Sequence, residues 1–134
     1  MRNIVNGLLI KDNQVLLAYR SPQRDFYPDC WSLPGGHVEA GEEKTSALAR
    51  ELQEEIAVTP TSYELVEQFT TDPVSNSARA TFHIYLVSDW LGKPTLQGDE
   101  HTEFRWFPVN DAAELTSLAL AEYATLLRRL VKSE

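Results

Sequence analysis

The chain has little cysteine, no long apolar run and no targeting pattern. Cys30 is the only cysteine among 134 residues, which excludes an internal disulfide and fits a reducing compartment. No stretch is long enough to span a bilayer, and the N-terminal apolar run is interrupted by Asn3 and Asn6 and carries no signal-peptide pattern. We therefore expect a cytoplasmic protein that does not bind membranes.

Positive charge is also scarce. Twelve Lys and Arg residues stand against 20 Asp and Glu residues, and their difference is a net charge of −8. No basic stripe or run is present, which argues against bulk nucleic-acid binding. The length suits one domain, residues 1–134, with a single core, and both a monomer and a homodimer remain open.

Apolar periodicity predicts alternating strands and helices. The alternation of Phe82 and Ile84 with polar neighbours is typical of a strand, whereas Leu48, Leu52 and Ile56 repeat at helical spacing. The order of elements predicts an α+β fold, an α/β/α sandwich with a mixed β-sheet between helices. Strands are predicted at 4–10, 15–19, 62–70, 80–87 and 104–109, a short extended piece at 31–33, and helices at about 43–56 and 115–130.

The most informative segment is 36–58, where three glutamates crowd one helix face. Glu51, Glu54 and Glu55 stand at i, i+3 and i+4, so their like charges repel one another. A divalent cation neutralises such a face, and Mg²⁺ is usually held by a few carboxylates together with substrate phosphates. The segment therefore indicates metal-assisted phosphate chemistry, with an acidic, solvent-facing helix as the alternative.

The same segment fits a pattern of fixed spacing, Gly-x5-Glu-x7-Arg-Glu-U-x-Glu-Glu-x-Gly-U, where U is aliphatic. The matching positions are Gly36, Glu42, Arg50, Glu51, Leu52, Glu54, Glu55 and Val58. With these matches the chain resembles the Nudix hydrolases, in their MutT-like branch, and the segment looks like their Nudix box. Ala57 stands where the family has Gly, so it either adopts a left-handed conformation, which costs about 1 kcal/mol, or extends the helix by one residue.

The resemblance implies hydrolysis of a nucleoside diphosphate linked to another group, X, with Mg²⁺ or Mn²⁺ as cofactor. Carried over residue by residue, it makes Glu51, Glu54 and Glu55 the metal ligands, with the carbonyl of Gly35 as a further ligand. Gly36 and Glu42 are structural positions of the box, and Arg50 pairs with Glu42 to orient the carboxylates. The residues implied in catalysis are Arg50, Glu51, Glu54 and Glu100.

The general base is left between a box glutamate and the later acidic loop. Glu100 is the first candidate in that loop, ahead of Glu103 and Asp99. The alternative is that the loop only contributes solubility.

Substrate contacts are predicted at three further positions. Arg20 ends the second strand and could bind phosphate oxygens through bidentate hydrogen bonds. Trp31 and Phe82 could stack a base, although an aromatic residue is more often part of the core.

Three functions follow from the resemblance. The first is hydrolysis of a nucleoside triphosphate, including an oxidised one such as 8-oxo-dGTP, to the monophosphate and pyrophosphate. The second is a pyrophosphatase for ADP-ribose or dinucleoside polyphosphates. The third is a non-catalytic Nudix module that senses nucleotides, which would be expected to lose box carboxylates that this chain keeps. All three take a small-molecule nucleotide as partner.

Overall fold

The structure is a computed structural model that describes residues 2–21, 29–71, 79–97 and 101–132. It forms two compact units, Met1–Leu9 with Pro34–Gly98, and Ile10–Leu33 with Asp99–Glu134. We call them unit 1 and unit 2 and describe each by itself. In the part of the chain described, no helix combines the length and apolar character required to cross a membrane.

Unit 1 is built on a mixed sheet. Strand β1 (Arg2–Lys11) runs parallel to β6 (Ala80–Leu91), which pairs antiparallel with β5 (Thr59–Thr71) on its other side. The short strand β4 (Gly35–His37) lies antiparallel to β1. The predicted combination of parallel and antiparallel strands with helices in an α+β fold is confirmed.

Strand β6 is buried on both faces over residues 82–85. Alternation of apolar and polar residues is typical of a strand with one face towards solvent. Here His83 and Tyr85, which alternate with Phe82 and Ile84, are buried as well, at 4% and 7% exposure. The reason is position, because β6 is flanked by β1 and β5 and is an interior strand of this sheet. His83 is satisfied there by Asn3, 2.9 Å from its Nε2, and by Gln68, 2.8 Å from its Nδ1.

Helix α1 (Lys44–Ile56) presents its apolar stripe to the interior of unit 1, as its periodicity predicts. Leu48, Leu52 and Ile56 are at most 1% exposed. Gly7 of β1 allows the helix to approach closely, because a Cβ at Gly7 would lie 3.1 Å from a methyl group of Leu52. The predicted start at Glu43 differs by one residue from the observed one, and Glu43 is the N-cap.

The C-terminal end of α1 decides between the two conformations predicted for Ala57. Ala57 is left-handed, with φ 60° and ψ 35°, and is the C-cap, so the helix does not extend through it. The N–H of Ala57 donates to the carbonyl of Gln53, and that of Val58 donates to the carbonyl of Leu52. The bond from Ala57 to Gln53 is the 5→1 bond of an αL cap, a position that normally uses glycine. The backbone therefore keeps the family's turn with a residue that is strained in it.

Replacing Ala57 by glycine should stabilise the protein. The left-handed conformation costs an alanine about 1–2 kcal/mol, while glycine adds about 0.4–1 kcal/mol of unfolded-state entropy. We expect Ala57→Gly to raise the free energy of unfolding by about 0.5–1 kcal/mol, measured by urea denaturation. Ala49→Gly, placed inside the same helix, should destabilise instead. Equal losses in both variants would contradict the strain at Ala57.

Unit 2 is centred on strand β2 (Gln14–Arg20). The predicted tight turn is confirmed, since Asp12 and Asn13 both have positive φ and join the end of β1 to β2 as a hairpin. Strands β3 (Trp31–Ser32) and β7 (His101–Pro108) pair antiparallel with β2.

The predicted C-terminal helix over 115–130 is wrong in its first part. Two helices are present instead, α2 (Val109–Ala113) and α3 (Ala121–Lys132). Between them the carbonyl of Ser117 accepts from the N–H of Trp31, and the N–H of Ala119 donates to the carbonyl of Trp31. These backbone groups pair with β3 rather than with a helical turn. The later part is confirmed, with Tyr123, Leu126 and Leu127 buried in α3.

Candidate active site

Arg50 holds the acidic face of α1 together. Its guanidinium makes a bidentate pair with Glu42, with Nε and Nη2 each donating at 2.9 Å to one carboxylate oxygen. Nη1 donates at 2.9 Å to Glu51 and lies 3.5 Å from an oxygen of Glu54. Nη2 also donates to the carbonyl of His37 at 3.0 Å. The guanidinium of Arg50 therefore links β4, the turn before α1 and two glutamates of the helix.

These bonds change the acidity of both partners. The hydrogen bonds from Arg50, together with the backbone N–H of Glu39, lower the pKa of Glu42 from its ordinary 4.5 to about 2. The hydrogen bond to Glu42 likewise raises the pKa of Arg50 above its usual range. Both groups are therefore charged at neutral pH.

The low pKa of Glu42 makes stability depend on acid pH. The unfolded chain takes up this proton below about 4.5, while the folded protein keeps a carboxylate until about pH 2. Its contribution is therefore present above pH 4.5 and is lost as the pH falls towards 2. Glu42→Gln should flatten this part of the stability curve, measured by urea unfolding at successive pH values. Glu43→Gln, at the exposed next residue, should leave the slope unchanged.

Gly36 gives Glu51 its place. A Cβ built on Gly36 would lie 2.5 Å from Cδ of Glu51 and within 2.6 Å of both its carboxylate oxygens. Real Cβ atoms do not come so close, so any side chain at position 36 must displace the carboxylate. The first glycine of the pattern is thus explained by close approach.

Gly35 fixes Glu55 in a different way. Its N–H donates at 2.9 Å to Oε2 of Glu55, a residue that is only 6% exposed. The φ of Gly35 is 151°, and a Cβ there would collide with the carbonyl of Val5. Two consecutive glycines of β4 therefore seat two of the three glutamates.

The sequence did not indicate how α1 is held at its C-terminal end. The carbonyl of Glu55 accepts from the N–H of Gln97 at 2.8 Å, and the carbonyl of Ile56 accepts from the N–H of Thr95 at 2.9 Å. No local sequence pattern predicts these hydrogen bonds, because the donor and acceptor residues lie about 40 residues apart in the chain.

The donor chemistry of this face fits a divalent cation. Glu51, Glu54 and Glu55 offer hard carboxylate oxygens, the ligands that Mg²⁺ and Mn²⁺ prefer. In the described ranges, no group of three acidic, His or Cys side chains is already gathered as a metal cluster. Arg50 instead contacts Glu51 and Glu54. Burial of a carboxylate such as Glu55 is costly without a compensating charge, which such a cation would supply.

The predicted substrate contacts lie in different surroundings. Arg20 ends β2 in unit 2 and is half-buried. Trp31, also in unit 2, is 8% exposed and packs edge-on against Tyr19 and Phe107. In unit 1 Phe82 is 4% exposed and stacks on Phe69 with ring centroids 5.2 Å apart. Both aromatic residues occupy core positions, so their proposed role in base stacking gains no support from packing.

Half of the acidic loop predicted to complete the site, residues 98–100 with Asp99 and Glu100, lies outside the described residues. Glu103 is described and belongs to β7, where it forms an exposed ion pair with Arg105 at 3.2 Å.

The sequence is similar to that of several phosphohydrolases. The family model described as NUDIX domain matches residues 1–130. A CTP pyrophosphohydrolase of Escherichia coli (strain K12) is 32% identical over 114 residues, which are 85% of this chain and 81% of that protein. An ADP-ribose pyrophosphatase of Methanocaldococcus jannaschii is 31% identical over 83% of this chain and 64% of its own. An 8-oxo-dGTP diphosphatase of Haemophilus influenzae is 38% identical over 69% and 65%. The chain thus spans just under two thirds of the last two proteins.

Solved structures share the fold. The MutT NUDIX hydrolase of Burkholderia pseudomallei superposes with a TM-score of 0.83 over 95% of both chains at 24% identity. The ORF135 protein of E. coli does so with a TM-score of 0.79 and 31% identity, over 98% of this chain and 89% of its own.

Proposed function

The chain belongs to the NUDIX hydrolase family, and from that premise we propose that it splits a nucleoside triphosphate into the monophosphate and pyrophosphate, with Mg²⁺ as cofactor. One observation carries the proposal. Gly35 and Gly36 of β4 seat the carboxylates of Glu55 and Glu51, which lie along the acidic face of α1. Such a backbone-supported set of hard oxygen ligands suits a divalent cation held against phosphate groups.

The box residues would then have the following roles, with Glu54 considered both as a metal ligand and as a base. Glu51, Glu54 and Glu55 would hold the cation, with the carbonyl of Gly35 as a further ligand, and Arg50 and Glu42 keep the glutamates in place. When bound, the cation neutralises phosphate charge and lowers the pKa of a bound water. The proton leaving the attacking water is accepted by Glu54, which is largely exposed, or by Glu100.

Triphosphates are the favoured substrates because a CTP pyrophosphohydrolase and an 8-oxo-dGTP diphosphatase are among the relatives of this chain. An oxidised purine triphosphate is therefore within the proposal. Arg20 is proposed to bind phosphate oxygens. A cytoplasmic location and a monomeric or homodimeric state remain part of the proposal.

The second candidate is a pyrophosphatase for ADP-ribose or dinucleoside polyphosphates. It is favoured by the similarity to an archaeal ADP-ribose pyrophosphatase, which extends over 83% of this chain.

Phosphorus NMR of reaction products separates the two candidates. The protein is incubated with CTP, 8-oxo-dGTP, ADP-ribose and a dinucleoside polyphosphate, each with Mg²⁺ and with EDTA. We expect pyrophosphate from a triphosphate in the Mg²⁺ samples only. Turnover of ADP-ribose alone would select the second candidate, and no turnover of any substrate would overturn both.

A further inference from the structure

The main chain at the end of α1 is completed from a distant segment. A helix leaves its last four carbonyl groups without intrahelical partners. In α1 the cap residues donate to the carbonyls of Leu52 and Gln53. The last two carbonyls, those of Glu55 and Ile56, accept hydrogen bonds from the N–H groups of Gln97 and Thr95. We call residues 93–97 the helix-end segment.

Gly92 allows the helix-end segment to reach this position. Its φ is 95°, a left-handed conformation that suits glycine, and a Cβ there would lie 2.8 Å from the carbonyl oxygen of Ala57. The segment is further ordered by the hydroxyl of Thr95, which donates to the carbonyl of Lys93 at 2.9 Å. The approach of Gly92 to the helix end thus leaves no room for a side chain.

Glu55 is consequently fixed at two points. The N–H of Gly35 binds its carboxylate at 2.9 Å, and the N–H of Gln97 binds its main-chain carbonyl at 2.8 Å. The bond from Gly35 acts on the carboxylate, whereas the bond from Gln97 acts on the main chain from which the side chain projects. The main-chain bond holds the last helical turn, which would otherwise fray.

We propose that Gln97, through its backbone N–H, is a positioning residue for Glu55 and so sets the affinity of the acidic face for a divalent cation. The inference rests on the proposed function, since it takes Glu55 to be a metal ligand. Mg²⁺ tolerates little distortion of its ligand geometry, and any divalent cation loses affinity when a carboxylate ligand is no longer held in place. Groups that support a metal ligand are typically worth about 10- to 100-fold in metal affinity.

The test compares Gln97→Pro, which removes the N–H, with Gln97→Ala, which keeps it. Binding of Mn²⁺ alone to the protein is measured by EPR titration without nucleotide. We expect Gln97→Pro to raise the Kd for Mn²⁺ by about 10-fold or more, and Gln97→Ala to change it by less than about twofold. Leu96→Pro places the same ring one residue earlier, leaves the N–H groups of Thr95 and Gln97 intact, and should resemble Gln97→Ala.

Three further variants separate positioning from other causes. Gly92→Ala pushes the segment from the helix end without removing a donor, so it should weaken Mn²⁺ binding even if Gln97→Pro fails to fold. Leu127→Ala destabilises α3, where Leu127 is fully buried, and should leave the Kd unchanged. Gln97→Pro is also made in a Glu100→Gln background, where its effect should persist.

Several results would overturn the inference. These are wild-type affinity in Gln97→Pro and Gly92→Ala, an equal loss in Leu96→Pro or Leu127→Ala, or no effect of Gln97→Pro in the Glu100→Gln background. If the unmodified protein and Glu55→Gln bind Mn²⁺ equally poorly, the metal site itself fails, and the proposed function fails with it. A normal metal site with an indifferent Gln97 would reject only the positioning role.

Discussion

Replacing Glu55 by glutamine is expected to lower kcat by about 10²- to 10³-fold, because a metal ion contributes several kcal/mol to such a transition state and each 1.36 kcal/mol is tenfold. The neutral amide is a weaker ligand than the carboxylate. The fold should persist, since the amide oxygen can still accept the bond that Gly35 donates to Oε2. The rate is measured on the best substrate of the panel across a Mg²⁺ titration.

Glu64→Gln provides the matched control, because Glu64 is an exposed glutamate of β5 outside this face. It should keep the wild-type rate. If Glu55→Gln is also within a factor of about three at saturating Mg²⁺, Glu55 is not a ligand that the reaction requires.

Replacing Arg50 by alanine should damage stability and activity together. Its side chain is 27% exposed, and its guanidinium bonds Glu42, Glu51 and the carbonyl of His37. Hydrogen bonds between charged groups contribute about 1.5–3 kcal/mol, so we expect Arg50→Ala to reduce the free energy of unfolding by about 2–3 kcal/mol. Glu51 then loses its orientation, and activity should fall by about 10- to 100-fold. Urea denaturation and initial rates measure the two effects.

Two variants sharpen this result. Arg50→Lys keeps the charge but cannot form the bidentate pair with Glu42, so it should recover only part of the loss. Arg105→Ala removes an arginine whose ion pair with Glu103 is exposed, and should cost under about 1 kcal/mol even though Arg105 also lies over the ring of Trp31. An unchanged free energy of unfolding in Arg50→Ala would remove its structural role.

Features that depend on local periodicity were predictable from the sequence. The stripe of Leu48, Leu52 and Ile56 is buried as predicted, because a helix that packs on a sheet needs one apolar face. The Asp12–Asn13 turn formed as predicted because both residues tolerate positive φ. The acidic face of α1 follows from spacing along the chain, whereas the Arg50–Glu42 pair was implied only by the resemblance to the Nudix box.

Features that depend on distant backbone were not predictable. Residues 115–120 carry a helical apolar pattern, yet Ser117 and Ala119 pair with Trp31, and periodicity cannot report that competing partner. The burial of His83 likewise depends on the strands on both sides of β6. At the site, the glycines at 35 and 36 were recognisable as a motif. Why glycine is needed at each position could be seen only in the structure: the N–H of Gly35 donates to the carboxylate of Glu55, and the carboxylate of Glu51 packs against Gly36.

The left-handed Ala57 also offers a practical tool for studying the site. Arg50→Ala and Gln97→Pro both threaten folding, and a variant that does not fold gives no information about metal binding. The Ala57→Gly variant would have a free energy of unfolding about 0.5–1 kcal/mol higher, and residue 57 is not one of the proposed metal ligands. Damaging variants made on that background would stay folded over a wider range, so their losses could be assigned to function. The departure from the family pattern thus marks the residue at which the protein is most simply made tolerant to mutation.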